Sequence, residues 1–214
     1  MLFRDRRDAG QALARALAAW RGSRPLVLAI PRGAVPIGAE VADALEGELD
    51  VVLVHKLGSH WNPEYAIGAI DEQGRVTVTD AAEADPGWLE RERSRRLAEL
   101  QQRRAQYSPQ RSVIDPCGRV VIVVDDGLAT GATMIAALDA VRAQAPARLI
   151  CAVPVAAPES LQRVRPHADE VVCLHAPPQF SAVGQFYRTF GQVEDDEVVA
   201  MLAARQARGT PPPA

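Results

Sequence analysis

A chain of 214 residues that is 48% hydrophobic is long enough to bury its own core and too apolar to be disordered. Lys and Arg number 24 against 27 Asp and Glu, a formal net charge of -3, which gives no support to a nucleic-acid footprint. Cys117, Cys151 and Cys173 show no C-x-x-C spacing, and His55, His60, His167 and His175 form no H-E-x-x-H cluster, so a cysteine-cage zinc site is excluded and a disulfide scaffold disfavoured.

Arg4, Arg6 and Arg7 are followed by no continuous apolar stretch, and no run reaches the roughly 18 residues of a spanning helix. The expectation is a cytoplasmic protein without membrane contact. In chain order, Asp8 to Trp20 places Leu13, Leu17 and Trp20 on one helical face. Pro25 to Ile30 reads as a buried strand, broken by Pro31-Arg32-Gly33-Ala34. Val35 to Leu45 reads as a helix with Pro36 in its first turn. Leu49 to Val54 is a second strand, ending at a loop signal, His55-Lys56-Leu57-Gly58. Lys56 is the only lysine among 24 basic residues, which singles out a position holding a compact ammonium.

Ala66 to Ile70 and Arg75 to Val78 suit a hairpin around Asp71-Glu72-Gln73-Gly74. Trp88 to Tyr107 is a charged helix with a thin stripe of Leu89, Leu97 and Leu100. Arg119 to Val124 is the strongest buried-strand signal; a loop from Asp125 to Ala132 and a helix from Thr133 to Gln144 follow. Leu149 to Val155 and Glu170 to Leu174 are strands around a helix at Glu159 to Arg165. An irregular aromatic stretch with Phe180, Phe186, Tyr187 and Phe190 precedes a helix from Asp195 to Arg205. Alternating strands and helices predict an α/β domain with a mainly parallel sheet flanked by helices. One domain is expected over residues 1–204, with an insertion at about 75–114, a hood at about 176–194 and a disordered tail at 205–214. Ligands in such folds bind beyond the carboxyl ends of the strands, where the loops at 31–34, 55–62 and 125–133 are expected.

The last of these loops carries the chemistry. Four apolar residues, Val121 to Val124, deliver Asp125 and Asp126 to a strand tip, and the turn Ala129-Thr130-Gly131-Ala132-Thr133 opens a helix. Unpaired N–H groups at a helix start suit phosphate; Gly131 allows close backbone approach, and Thr130 and Thr133 add hydroxyls. Two carboxylates beside that cradle suit sugar hydroxyls or a magnesium shell. The triphosphate P-loop and the dinucleotide fingerprint are both absent.

Val123 to Thr133 resembles the phosphoribosyl-diphosphate (PRPP) motif of type I phosphoribosyltransferases. The similarity extends over roughly residues 1–204 and is nearest a bacterial branch of unsettled substrate, through Phe3-Arg4-Asp5-Arg6, Pro31-Arg32-Gly33, Asn62-Pro63-Glu64 and Ala182-Val183-Gly184-Gln185-Phe186-Tyr187. It implies that Asp125 and Asp126 bind the ribose 2- and 3-hydroxyls and that Ala129, Thr130, Gly131, Ala132 and Thr133 wrap the 5-phosphate. Arg32, Gly33 and Ala34 would line the diphosphate loop, with Lys56 near that leaving group. At Ala129 the 6-oxopurine members carry an aspartate, so hypoxanthine or guanine transfer by their mechanism is not expected.

The implied reaction transfers a 5-phosphoribosyl group from PRPP to a nitrogen nucleophile, with Mg²⁺ brought by PRPP and no resident metal. A regulator that binds PRPP or a nucleotide without turnover is the alternative. The segment from about Arg75 to Ile114 is either a lid or an ordinary solvated helix or oligomer contact, and a homodimer stays open. Phe180, Phe186 and Tyr187 either stack a planar acceptor or form a satellite core. The Pro31–Arg32 peptide is expected to be strained or cis, because diphosphate needs several N–H groups turned inward.

Overall fold

The computed structural model describes residues 2–61, 66–78, 85–109 and 113–209. Asn62-Pro63-Glu64 and residues 210–214 lie outside them. Asp5 opens α1 (Arg6–Ala16) by accepting the Asp8 N–H, a side-chain cap on an otherwise orphaned donor. The helix stops short of Trp20. The Trp20 N–H donates to Leu17 O, an i→i−3 bond that tightens the chain into a 3₁₀ turn at Ala18–Trp20.

Five strands form the main sheet: β1 (Leu26–Ala29), β2 (Glu48–Val51), β6 (Val120–Val124), β7 (Arg148–Val155) and β8 (Glu170–His175). Their spatial order is β2-β1-β6-β7-β8, and every pair is parallel. Both faces are covered, which is why β6 is apolar at every position. Ile122 and Val124 pack into a core with α1, α2 (Val35–Leu45) and α6 (Asp195–Gly209). Val121 and Val123 pack into the opposite core with α4 (Ala132–Arg142) and α5 (Pro158–Val164). The period-2 alternation of strand side chains divides one run of valines between two cores.

A second sheet is antiparallel: β3 (Val54–Gly58), β4 (Ala66–Asp71) and β5 (Val76–Val78), in that order. The expected loop at His55-Lys56-Leu57-Gly58 is therefore a strand. Its alternation is present in the sequence but short: Lys56 is exposed and Leu57 buried. Gly58, taken as a loop signal, marks a register shift in the β3–β4 pair. The hairpin around Asp71 to Gly74 forms as expected, with Asp71 Oδ1 accepting the Gln73 and Arg75 N–H groups.

The charged helix is α3 (Pro86–Tyr107), which lies against β3, β4 and α6. Its Leu100 and Tyr107 join the same core as the main sheet. Of the tail expected at 205–214, residues 205–209 are instead helical: α6 continues to Gly209, and Arg205 is pinned by Asp43 at 2.6 Å.

Candidate functional site

In the sheet order the chain runs outward in both directions from the pair β1–β6. A crevice opens at such a switch point because the loops leaving the two strands go to helices on opposite faces. Ala29 is in register with Val124, so both strands end at the same height, and the Ile30 N–H donates to Val124 O. The loop Pro31–Ala34 and the loop Asp125–Gly131 therefore stand side by side.

The second loop is held by its surroundings. The Leu128 N–H donates to Val155 O, and the Ala157 N–H donates to Leu128 O. Ser160 Oγ donates to Ala129 O at 2.7 Å. Gly127 is closed in by the side chains of Val155 and Val183, leaving no room for a Cβ. Gly131 has φ +74°, a left-handed conformation open to glycine at little cost, and it leads into α4. No side chain caps that helix. Among the described residues, the N–H groups of Ala129, Thr130, Gly131 and Thr133 meet no protein acceptor, and Ala132's meets only Thr130 Oγ1 at 3.5 Å. This is a cluster of unpaired donors at the positive end of a helix dipole, the physical description of an anion site.

Asp125 and Asp126, expected at an exposed tip, are half-buried. Burial pushes the Asp125 carboxyl well above its ordinary value, and the neighbouring Asp126 charge adds to the shift. Burial also raises Asp126, against the pull of Arg6. Arg6 Nε and Nη2 both donate to Asp126 Oδ2, at 3.0 and 2.9 Å. Tyr187 Oη donates to the Asp126 carbonyl at 2.7 Å.

In the first loop the Pro31–Arg32 peptide is cis, as expected. The Ala34 N–H is taken by Ile30 O at 3.3 Å, so Ala34 starts α2 and leaves the Arg32 and Gly33 N–H groups as the loop's donors. A Cβ on Gly33 would sit 2.2 Å from Asp126 Oδ2, so the two loops touch at this glycine. The Arg32 guanidinium leans away toward Glu194 and Asp195, at 3.7 and 3.8 Å.

Lys56 is on β3, exposed; among the described residues no hydrogen bond or ion pair joins its side chain to either loop. Phe186 and Tyr187 are buried in one satellite core, and Phe180 is partly buried against it. Tyr187 is 5% exposed and packs with Phe3 and Phe186 in a satellite core. The expectation of a stacking ring at Tyr187 is thus corrected: its face is covered and its hydroxyl is committed to the Asp126 carbonyl. Phe180 is half-buried, against Phe186 at 5.3 Å between centroids.

Three contributors escape single-segment reading: Arg6, Ser160 and the pairing of the two chain ends. Phe3 N–H donates to Phe186 O, Arg188 N–H to Phe3 O, and Thr189 N–H to Arg4 O. The Phe3–Arg6 and Ala182–Tyr187 segments, weak as separate motifs, are one structure.

The family model of the phosphoribosyl transferase domain matches residues 6–189. The chain belongs to that family. It is similar to a Mycobacterium tuberculosis protein named "Putative phosphoribosyl transferase", in strains H37Rv and CDC 1551, at 44% identity over 205 residues, covering 94% of this chain and 46% of that protein. The chain thus spans about half the length of these relatives. The crystal structure of TT1426 from Thermus thermophilus is 47% identical, covers 96% of this chain and 99% of that one, and superposes with a TM-score of 0.90. The matched span begins at Arg6 and contains both switch-point loops.

Proposed function

We propose that this phosphoribosyl transferase domain moves a 5-phosphoribosyl group from PRPP to a nitrogen nucleophile, a nucleobase-like acceptor, and releases diphosphate. One observation carries the reading. An uncapped helix start and a half-buried pair of carboxylates sit on one loop, across the switch point from a second loop whose Arg32 and Gly33 N–H groups meet no acceptor among the described residues. A molecule with a phosphate at one end, vicinal hydroxyls in the middle and a diphosphate at the other matches that order of groups.

In the reaction the bond from C1 to the diphosphate oxygen breaks and the oxygen keeps the electron pair. The nitrogen lone pair forms the new bond to C1, and the acceptor's N–H proton is lost to solvent or to the leaving group. Ala129 to Thr133 hold the 5-phosphate and fix the sugar, which is catalysis by positioning. Asp125 and Asp126 hold the hydroxyls. As positive charge develops on the sugar, two carboxylates nearby are favoured in their ionised form, opposite to the state that burial favours at rest. Arg32 and Gly33 N–H groups face the diphosphate, with Lys56 as a mobile cation. Phe180 is the remaining candidate to pack against the acceptor.

Among the described residues no group of three or more acidic, His or Cys side chains is placed to hold a metal. Two carboxylates cannot fill an octahedral magnesium shell, so the donor set suits an ion whose other ligands come from PRPP. Such Mg²⁺ would neutralise charge on the leaving diphosphate. No described helix is long and apolar enough to cross a membrane. Action in the cytoplasm is part of the same proposal.

The deciding experiment is diphosphate release from PRPP and Mg²⁺ with a panel of purines, pyrimidines and other nitrogen heterocycles. Release with one acceptor supports transfer. Tight PRPP binding without release under any acceptor assigns the regulatory reading instead.

A further inference from the structure

We infer that Arg6 is a positioning residue for Asp126, held in place by the opposite end of the chain. The inference rests on the ribose role proposed above for Asp126. Both Arg6 contacts fall on a single carboxylate oxygen, Oδ2, and leave Oδ1 outside the clamp. The third donor, Nη1, reaches Gly191 O at 2.6 Å. The guanidinium lies over the Phe190 ring, 3.9 Å from its centroid, and that ring stacks on Tyr187. Only 12% of the Arg6 side chain is exposed. Planarity and a fixed fork are used here at once, for two N–H contacts converging on one oxygen, a carbonyl on another side and a ring beneath.

The consequence is that Asp126 is pinned at both of its polar ends. Arg6 takes the carboxylate and Tyr187 takes the carbonyl. Arg6 opens α1, and Tyr187 and Phe190 belong to the segment that pairs with Phe3 and Arg4. The N-terminus and the hood therefore close on the same residue from two sides. An aspartate whose rotamer is fixed before the sugar arrives loses little freedom on binding it. Gly33 completes the arrangement, because an imaginary Cβ there would lie 2.2 Å from Oδ2 and 3.4 Å from Arg6 Nη2.

A purely structural ion pair would support the fold without discriminating among ligands, and that separates the two roles. Calorimetric titrations with PRPP and with inorganic diphosphate, each with Mg²⁺, are made on the wild-type chain and on Arg6→Met, Arg6→Lys and Arg6→Ala. Arg6→Met is expected to weaken PRPP binding at least tenfold and to leave diphosphate within about twofold. Arg6→Lys should fall between, since an ammonium cannot make both contacts with the planar fork's geometry. Millimolar guanidinium should restore part of the PRPP affinity of Arg6→Ala. If Arg6→Met does not fold, Phe190→Leu removes only the ring beneath the guanidinium and should give a smaller PRPP-selective loss. Equal losses for both ligands, or undiminished PRPP binding in Arg6→Met, overturn the clamp. A wild-type chain that binds diphosphate but no PRPP overturns the ribose role of Asp126 itself, and with it the functional reading.

Discussion

Two clusters in this molecule have the same inventory, one arginine against two carboxylates. Arg6 faces Asp126 and Asp125 at the switch point, and Arg104 faces Asp50 and Glu72 at the edge of the main sheet. Burial does not separate them: the Arg6 and Arg104 side chains are each 12% exposed. Saturation does. Asp50 Oδ1 accepts from Arg104 Nη1 at 2.7 Å and from the Val51 N–H at 2.8 Å, and Oδ2 accepts from the Ile114 N–H. Arg104 also donates to Val51 O and spends its remaining donors on both Glu72 oxygens. Burial opposes the charge on Arg104, but Glu72 and Asp50 outweigh it and hold the guanidinium ionised.

Burial raises carboxyls in both clusters, Glu72 in one and Asp125 and Asp126 in the other, but at the switch point the adjoining N–H groups lack protein acceptors among the described residues. The Arg104 cluster staples α3 to β2 and to the β4–β5 turn. The Arg6 cluster leaves polar capacity for a ligand. In the segment from about Arg75 to Ile114, read as either a lid or an ordinary solvated helix or oligomer contact, several arginines of α3 are already paired. Arg104 is buried in the staple, Arg93 donates to Gly74 O, and Arg95 and Arg96 pair with Glu92 and Glu99.

The largest effect should come from the functional cluster. Asp125→Asn, which leaves the Arg6–Asp126 pair in place, is expected to reduce PRPP affinity more than a hundredfold by calorimetry, without lowering the melting temperature. The sign follows from linkage. The folded pKa of Asp125 lies above its ordinary 3.8, so the folded state keeps a proton that the unfolded chain has released. Stability is therefore greatest below that ordinary value and declines as pH rises through the folded one. Removing the charge removes the decline, so the variant should be at least as stable as wild type at neutral pH, with a flatter stability–pH curve above pH 4. A large loss of melting temperature at neutral pH would mean that the carboxylates hold the fold together and would erase the contrast with Arg104.

Arg104→Met should behave in the opposite way. Removing one partner of a buried ion pair typically costs about 3–5 kcal/mol, because the other charges stay buried without it. For a chain of this size that is a drop on the order of 10 °C in melting temperature. PRPP affinity of the folded fraction should change less than threefold. Loss of PRPP binding at unchanged stability would place α3 in the site and reverse the assignment of the two clusters.

Gly33→Ala is an intermediate case. The new methyl meets Asp126 Oδ2, an oxygen that Arg6 restrains, so the carboxylate cannot swing aside without giving up its clamp. PRPP affinity should fall about tenfold and stability by about 1–2 kcal/mol, the usual cost of overpacking. Wild-type affinity in this variant would show that Asp126 is free to move and that its pinning is incidental.

The two clusters also differ in how far the sequence reveals them. Val121 to Thr133 is local: strand, carboxylates, turn and helix start follow one another, so the order of residues is the order of the site. The parallel sheet is legible for the same reason, since strands buried on both faces are unbroken apolar runs. Arg6 and Asp126 are 120 positions apart. Nothing local to either segment announces the pairing. Arg104 is hidden among the arginines of α3, several of which pair within the helix. The β3 strand escapes a sequence reading because its alternation is only a few residues long and ends in glycine. Tyr187 illustrates a different failure: composition marks an aromatic ring, but only packing decides whether its face is covered.

Ser160→Ala should give the smallest effect and the finest test of the comparison. Ser160 lies on α5, 1% exposed, and its hydroxyl donates to Ala129 O while accepting from Arg163 Nη2 at 3.2 Å. It is the link by which the scaffold fixes the start of the phosphate turn. Deleting a buried hydroxyl that makes one good hydrogen bond costs about 1 kcal/mol, since the Ala129 carbonyl is exposed enough to recover water as a partner. The expected drop in melting temperature is roughly 2–4 °C. The ligand response carries more information. Ala129 begins the turn whose N–H groups face the phosphate, so loosening its carbonyl should weaken both PRPP and ribose 5-phosphate by a few-fold. Inorganic diphosphate, proposed above for the Arg32 and Gly33 side of the crevice, should bind as before. A loss confined to stability would mean that the turn is rigid through Leu128 and Gly131 alone. A loss shared by diphosphate would mean that the two loops respond as one body, coupled through the contact between Gly33 and Asp126.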